Sequence, residues 1–477
     1  MLDVTLIRTR PDQVREALRK RAVDLDVPAF LALDTAYREA RTAVEHLRAE
    51  RNRLTARIAA HHRAAIAIDP DTATAPAAEH TAEHGTDRTG EHTAEHRTDP
   101  TEEHTAEHGP AHRTTADPQA LRRAAAALGV RLADAEAELA RLAARHQAFL
   151  DALPNLPDDD VPAGGKEANQ VVRVGGRRPE FGFAAKDHVR LAEDLGLVDH
   201  RRGAALAGRG HWVYRGQGAA LEWALLNHFL DTHRLAGYEF VLPPHLLTYE
   251  AGYTAGQFPK FADEVFVTER GEDGRPARFL LPTAETALVN LHRGETLDDR
   301  DLPLKYVSYT PCYRREAGAH RTAERGTLRG HQFNKVELVQ FVRPEDSEQA
   351  QRELLARAEE LVTGLGLHHR VTKLAAGDTS PAQAKTYDVE VWLPSLGAYA
   401  EVSSVSNARA YQARRGGMRY RPAEGGRARY LHTLNASGLA TSRLLPALLE
   451  QHQRADGTVA VPEVLRRWGL PDVLTAP

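Results

Sequence analysis

The chain has 477 residues, 42% of them hydrophobic, which is room for two or three domains and a sizeable core. Its 62 basic and 66 acidic side chains leave a formal charge of −4, so any nucleic-acid contact has to come from a local patch and not from whole-chain charge. The single cysteine, Cys312, excludes an internal disulfide framework; Met1-Leu2-Asp3-Val4 carries no signal pattern and no apolar run is long enough to span a membrane, so a soluble cytoplasmic protein is expected.

In chain order, the first element is a long helix. Apolar residues at Phe30, Leu33, Tyr37, Ala40, Val44, Leu47, Leu54 and Ile58 step by threes and fours, with Arg51 as the one break. A second seam runs through Leu121, Ala125, Leu128, Leu132, Ala135, Leu139, Leu142, Phe149 and Leu153, broken at His146, and Pro154-Asn155-Leu156-Pro157 stops it. Two seams of similar length predict an antiparallel helical hairpin. Arg38, Arg41, Arg48, Arg51, Arg53, Arg57 and Arg63 crowd the first helix. Taken alone they read as a solvated face partly paired with Glu39, Glu45 and Glu50.

Between the helices Glu-His-Thr-Ala-Glu-His occurs at 79–84, 91–96 and 103–108, a period of twelve in a Gly-, Thr- and Pro-containing background. Such a composition does not support a packed core, and the insert, about 69–118, is expected to be disordered. The pairs His80/His84, His92/His96 and His104/His108 sit four apart and would suit zinc or nickel if helical; the plainer reading is a tandem expansion without a ligand.

Asp158 to Lys166 reads as a linker, and from about residue 168 the pattern turns to mixed strands and helices. Gly218–His233 is a helical run followed by a short strand, Glu239-Phe240-Val241-Leu242, closed by Pro243-Pro244. Leu281-Pro282-Thr283-Ala284-Glu285 sets a hydroxyl beside a carboxylate, a combination that can hold an ammonium. Thr310-Pro311-Cys312-Tyr313-Arg314-Arg315-Glu316-Ala317-Gly318 and Arg329-Gly330-His331-Gln332-Phe333-Asn334-Lys335-Val336-Glu337 read as antiparallel strands joined by a long loop. Arg314 can clamp a carboxylate or phosphate, Phe333 can stack on a purine, and Glu337 can bind an ammonium or hydroxyl. Alternation in Tyr387–Trp392 predicts a strand with Asp388 and Glu390 on one face. Glu401-Val402-Ser403-Ser404-Val405-Ser406-Asn407 and Thr433-Leu434-Asn435-Ala436-Ser437-Gly438-Leu439-Ala440-Thr441-Ser442-Arg443 complete the set, the latter leading into a helix through Leu444, Leu445, Leu448 and Leu449.

These segments, in this order and spacing over about residues 218–466, closely resemble motifs 1, 2 and 3 of class II aminoacyl-tRNA synthetases in the form found in seryl-tRNA synthetases. The resemblance implies an α+β fold: an antiparallel sheet flanked by helices, behind an N-terminal coiled-coil arm. It divides the chain into an arm (1–153), a linker (154–167) and a catalytic domain (168–477). It implies a serine–tRNA ligase that forms seryl-adenylate from L-serine and ATP, then transfers the seryl group to tRNA(Ser), working as a homodimer with Mg2+. Arg314, Glu316 and Arg443 would carry the chemistry. Thr283, Ala284, Glu285, Arg314, Glu337, Asn435 and Ser437 would bind serine. Arg314, Arg315, Glu316, Gly330, Phe333, Glu401, Val402, Ser403, Ser404 and Arg443 would bind ATP, with Glu401 and Ser404 as ligands of the metal. The arm arginines would then reach the tRNA.

The sequence departs from the family at several points. The lead-in of loop 319–328 is changed. Gly330 stands where a branched apolar residue is usual, and Val405 replaces a cysteine. Ala436 replaces a glycine, with a β-carbon that either narrows the serine pocket or is harmless. Arg466-Arg467-Trp468-Gly469 lacks the common Arg-Pro-Tyr ending. These changes suggest a specialised copy, serving natural-product biosynthesis or inhibitor resistance. The alternatives are a ligase that loads an amino acid onto a carrier protein and a non-catalytic RNA-binding paralogue.

Overall fold

The computed structural model describes residues 1–66, 117–316 and 325–477. The His-rich repeats and the changed lead-in of the 319–328 loop lie outside the described residues. By chain packing the protein forms two units, one of residues 1–31 and 147–477, the other of residues 32–146.

The smaller unit is drawn from two long helices, Val27–Ile66 and Pro118–Ala152. Asp34 faces His146 and Arg48 faces Glu136, so the helices run antiparallel. Val44, Leu121, Leu128, Leu132 and Leu142 are buried along the seam. The break at His146 has a physical reason. Its Nε2 lies 3.1 Å from the buried Asp34 carboxylate and its ring stacks on Tyr37, so a hydrogen-bonded polar pair takes the place of an apolar layer. On the outer face Arg41 pairs loosely with Glu45 at 3.7 Å and Arg48 closely with Glu136 at 2.8 Å. Exposed pairs of this kind contribute little stability, about 1 kcal/mol or less each.

The larger unit is built on an eight-stranded sheet. Its strands are β1 (Gln170–Gly175), β2 (Glu239–Phe240), β3 (Leu304–Tyr313), β4 (Gln332–Val342), β5 (His369–Lys373), β6 (Lys385–Leu393), β7 (Ala398–Arg409) and β8 (His432–Ala440). The order across the sheet is β1-β5-β6-β7-β8-β4-β3-β2. All neighbours are antiparallel except β2, which lies parallel to β3. The predicted pair Thr310–Tyr313 and Gln332–Glu337 is the β3–β4 hairpin, with Phe333 opposite Cys312 and Glu337 opposite Ser308.

Helices Gln217–Leu235, Ser347–Gly364 and Thr441–Gln451 cover one face of the sheet and make the main core with it, through Leu221, Leu225, Phe229, Leu354, Leu361, Leu445 and Leu448 among others. Strand alternation sorts the remaining side chains. Leu338, Val405, Leu434 and Ala436 point into that core, while Glu337, Asn435 and Ser437 belong to the opposite face. Ala436 therefore places its β-carbon in the core, paired with Leu338 and Val405, and does not narrow the face that Asn435 and Ser437 share. Glu222, buried on helix Gln217–Leu235, ties three motif segments together. Its Oε1 accepts from Asn334 Nδ2 at 2.8 Å and from Thr441 Oγ1 at 2.5 Å, and burial pushes its carboxyl up to about 7.

His233, at the end of the same helix, is fully buried beside Gly438, where a β-carbon would fall 2.5 Å from its Nε2. Burial depresses its pKa from the ordinary 6.5 to about 4. The unfolded chain therefore takes up this proton first. The contribution of neutral His233 is complete above about 6.5 and is lost as pH falls toward about 4. The melting temperature of a His233→Leu variant is expected to fall less steeply than that of the parent between those pH values. Parallel curves would remove the assignment.

Among the described residues no helix is long and apolar enough to cross a membrane.

Candidate active site

The face of the sheet away from the helical core gathers charged residues from the second motif and from the Thr283–Glu285 and Glu401–Ser404 segments, with Arg443 reaching in from the third. Thr283 and Glu285 come from the turn that starts the short helix Glu285–Leu288. The Glu285 amide donates to Thr283 Oγ1 at 3.2 Å, and Thr283 Oγ1 donates to Glu337 Oε2 at 3.2 Å, so one hydroxyl bridges the two acidic residues. Glu285 Oε1 accepts from Gln412 Nε2 at 2.8 Å, Asn435 Nδ2 at 2.9 Å and Gln383 Nε2 at 3.3 Å. Thr433 Oγ1 in turn donates to Gln412 Oε1 at 2.6 Å and fixes which way that amide points. Lys335 Nζ contacts Glu337. Desolvation of the Glu285 carboxyl, and then the nearby charge of Glu337, push it up to about 7. Lys335 already stands on Glu337, and the raised Glu285 carboxyl beside that charge favours a further cation at Glu285. A hydroxyl and amides stand around them to recognise a small polar ligand. Ala284 is buried in the same turn, and Ser437, also buried, pairs with Glu337 across β4 and β8.

Arg314 leaves the end of β3. Its Nε donates to the Pro282 carbonyl at 3.2 Å, and its Cζ lies 5.3 Å from the centre of the Phe333 ring. Its backbone is fixed at both ends by His331: the Arg314 amide donates to the His331 carbonyl at 2.9 Å, and His331 Nδ1 donates to the Arg314 carbonyl at 3.1 Å. Arg315 is anchored on the Asp263 and Glu264 carbonyls. Glu316 forms an ion pair of 2.7 Å with Arg329.

Glu401 and Ser404 are three apart, a spacing that puts residues of a regular strand on opposite faces. A bulge brings them together. Asp388 pairs with Ser404 and Val389 with Ser403, but Glu390 pairs with Glu401, so Val402 is the extra residue. Glu401 and Ser404 thus share the face of Asp388 and Glu390. Ser404 Oγ donates to Asp388, whose carboxyl is held well above the usual range by burial and by the charges of Glu401 and Glu390. Val402 and Ser403 are buried, Ser403 Oγ donating to the Ser437 carbonyl at 2.5 Å. Arg443, in the first turn of helix Thr441–Gln451, lies with Nη1 at 3.2 Å from both the Glu401 carbonyl and its Oε2.

Hard carboxylate and hydroxyl oxygens at Glu401, Ser404 and Asp388 fit Mg2+ in donor type. Among the described residues no group of three or more His, Cys, Asp or Glu side chains is arranged to hold an ion by itself.

Of the predicted site residues, Val402 belongs to the helical core and Ser403 pairs with the core residue Val389, Arg443 comes from the first turn of its helix, and the others lie on the opposite sheet face or in the turns beside it. Gln383, Gln412 and Lys335, which orient or charge-balance the acidic pair, were not singled out from the sequence. Their only signal there was polarity inside runs that otherwise read as buried.

An antiparallel sheet with arginines from the second motif strand and from the helix after the last strand, above an acidic floor, defines a class II synthetase core. Residues 266–452 match the family "tRNA synthetase class II core domain (G, H, P, S and T)", and residues 1–85 match "Seryl-tRNA synthetase N-terminal domain". Serine–tRNA ligase 2 of Clostridium acetobutylicum is 58% identical over 338 residues, 71% of this chain and 80% of the relative. Serine–tRNA ligase of Thermodesulfovibrio yellowstonii is 39% identical over 475 residues, covering 99% of this chain and 100% of the relative. The seryl-tRNA synthetase from Pyrococcus horikoshii complexed with ATP superimposes with a TM-score of 0.80 at 30% identity over the whole of both chains. The chain belongs to the seryl-tRNA synthetase family.

Proposed function

We propose that this protein is a serine–tRNA ligase that activates L-serine with ATP and transfers the seryl group to tRNA(Ser). The observation that carries the reading is the Thr283–Glu285–Glu337–Asn435 cluster beside Arg314, a pocket suited to an ammonium and a hydroxyl with an arginine at its edge. In the first step the serine carboxylate attacks the α-phosphorus of ATP and pyrophosphate leaves. Glu285, with Thr283, holds the ammonium, and Glu337, with Asn435 and Ser437, takes the side-chain hydroxyl. Arg314 clamps the carboxylate and α-phosphate, and Arg443 holds the terminal phosphates. Glu316 reads the adenine amino group and Phe333 stacks on the ring. Positioning and fixed charge supply the rate, and no protein nucleophile is required. Mg2+, with Glu401 and Ser404 as ligands, would neutralise phosphate charge.

A site built to hydrogen-bond a hydroxyl rejects the analogue lacking it, by about 10⁴ or more. Serine-dependent ATP–pyrophosphate exchange is therefore expected with negligible alanine-dependent exchange. Comparable rates with alanine would sink the serine assignment.

The matched N-terminal family and the arginine-rich helix support tRNA as the acceptor over a carrier protein. A homodimer is supported by apolar side chains left open near the first motif. Leu206 is 79% exposed, Trp223 57% and Leu242 70%. Light scattering is expected to give twice the chain mass, and Trp223→Glu to shift the population toward monomer. A monomeric parent protein would contradict the dimer. The changed 319–328 lead-in and Gly330 support a specialised copy, which side-by-side charging and inhibition by a seryl-adenylate analogue against a conventional enzyme would test. Equal behaviour would remove it.

A further inference from the structure

Gly330 has no room for a side chain. A β-carbon there would fall 2.2 Å from Cζ3 and 2.6 Å from Cη2 of Trp212, and 2.8 Å from the Gly210 carbonyl. Trp212 comes from the turn after helix His200–Ala207, far from Gly330 in sequence, and its half-buried indole packs against the main core and edge-on to Tyr214. The same turn grips the next residue. The His331 amide donates to the Gly210 carbonyl at 3.0 Å, and a β-carbon on Gly210 would fall 2.7 Å from the His331 ring. His331 is the residue whose carbonyl and Nδ1 hold both ends of the Arg314 backbone, and Phe333 follows two residues on.

We infer that Trp212 is a positioning residue for the nucleotide. Its indole fills the space opened by Gly330, and the seated pair sets the place of His331, and through it Arg314 and Phe333. The inference rests on the reading of Arg314 and Phe333 as ATP-facing groups. It assigns a role to a residue outside the three motifs, and it makes the glycine at 330 a matched half of a pair. A side chain at either end is tolerated only if the other gives way. The larger effect falls on the nucleotide, because Phe333 serves ATP alone and Arg314 serves both substrates, while the serine ammonium is held by Glu285, which Gln412, Gln383 and Asn435 orient.

The test is a reciprocal size swap read by exchange kinetics in the full-length protein. Gly330→Val is expected to raise the KM for ATP by about tenfold or more, as overpacking of about 1.4 kcal/mol would give, with a clearly smaller rise in the KM for serine through Arg314. Adding Trp212→Ala to Gly330→Val should recover most of the loss. Trp212→Ala alone crowds nothing and so keeps the test open if Gly330→Val does not fold. It should weaken ATP in the same selective way, while Trp212→Phe stays near the parent. ATP should also change the indole fluorescence of the parent and do so less in Trp212→Phe. Three results would overturn the inference: a harmless Gly330→Val, a double variant worse than either single, or equal losses for ATP and serine. An inactive parent enzyme is a different outcome. It would remove the ligase reading itself, whatever the variants do.

Discussion

Arg314→Lys is expected to lower serine-dependent pyrophosphate exchange by about a thousandfold, the loss seen when one preorganised donor to a developing anion is removed. The guanidinium has two tasks that one ammonium cannot share. Its Nε is committed to the Pro282 carbonyl at 3.2 Å, and its plane stands over Phe333. A planar fork can keep that anchor and still present its remaining N–H groups to a carboxylate and phosphate, whereas lysine offers a single point charge on a mobile stem. The His331 bonds go to the Arg314 backbone and survive the substitution, so thermal stability should change little. Exchange within about tenfold of the parent would remove Arg314 from its assigned role.

Glu285→Gln is expected to cost about as much, but in the serine term. The three amides that converge on Oε1 can still be met by the amide oxygen of glutamine, so the pocket should keep its shape. What is lost is the charge opposite the ammonium. kcat/KM for serine should fall by about a thousandfold with the KM for ATP little changed, the cost of leaving a buried charge without its partner. The parent should also show an ionisation. With the Glu285 carboxyl pushed up to about 7, the neutral acid predominates below that pH and offers an ammonium no counter-charge. kcat/KM for serine is expected to rise through about pH 7, and this limb should be missing in Glu285→Gln. A flat parent profile from pH 6 to 8, or one shared by the variant, would place the ammonium elsewhere.

Much of the architecture was legible in the sequence because the relevant signals are local. The seams of the two long helices, the two runs that become β3 and β4, and the alternation of β6 can each be read from nearby residues. Which face Ala436 takes is left open by the sequence and is settled by its pairing with Leu338 and Val405 in the folded sheet. What sequence did not reveal depends on contacts between distant segments. The bulge at Val402 is a property of the β6–β7 pairing, and without it Glu401 and Ser404 would face opposite ways. Gln383 and Gln412 reach Glu285 from about a hundred residues away, and nothing in their own neighbourhoods marks them. His146 was visible as a break in a seam, but its reason, Asp34, lies on the other helix. In the sequence Gly330 reads as a lost side chain; in the fold the ring of Trp212 takes that place.

The most direct test of the ligase reading is serine-dependent ATP–pyrophosphate exchange, measured in the same preparation as charging of tRNA(Ser). Exchange together with charging is the predicted result. Exchange without charging would move the acceptor to a carrier or another RNA. No exchange with any amino acid would contradict the ligase and leave a protein that binds RNA without performing the chemistry.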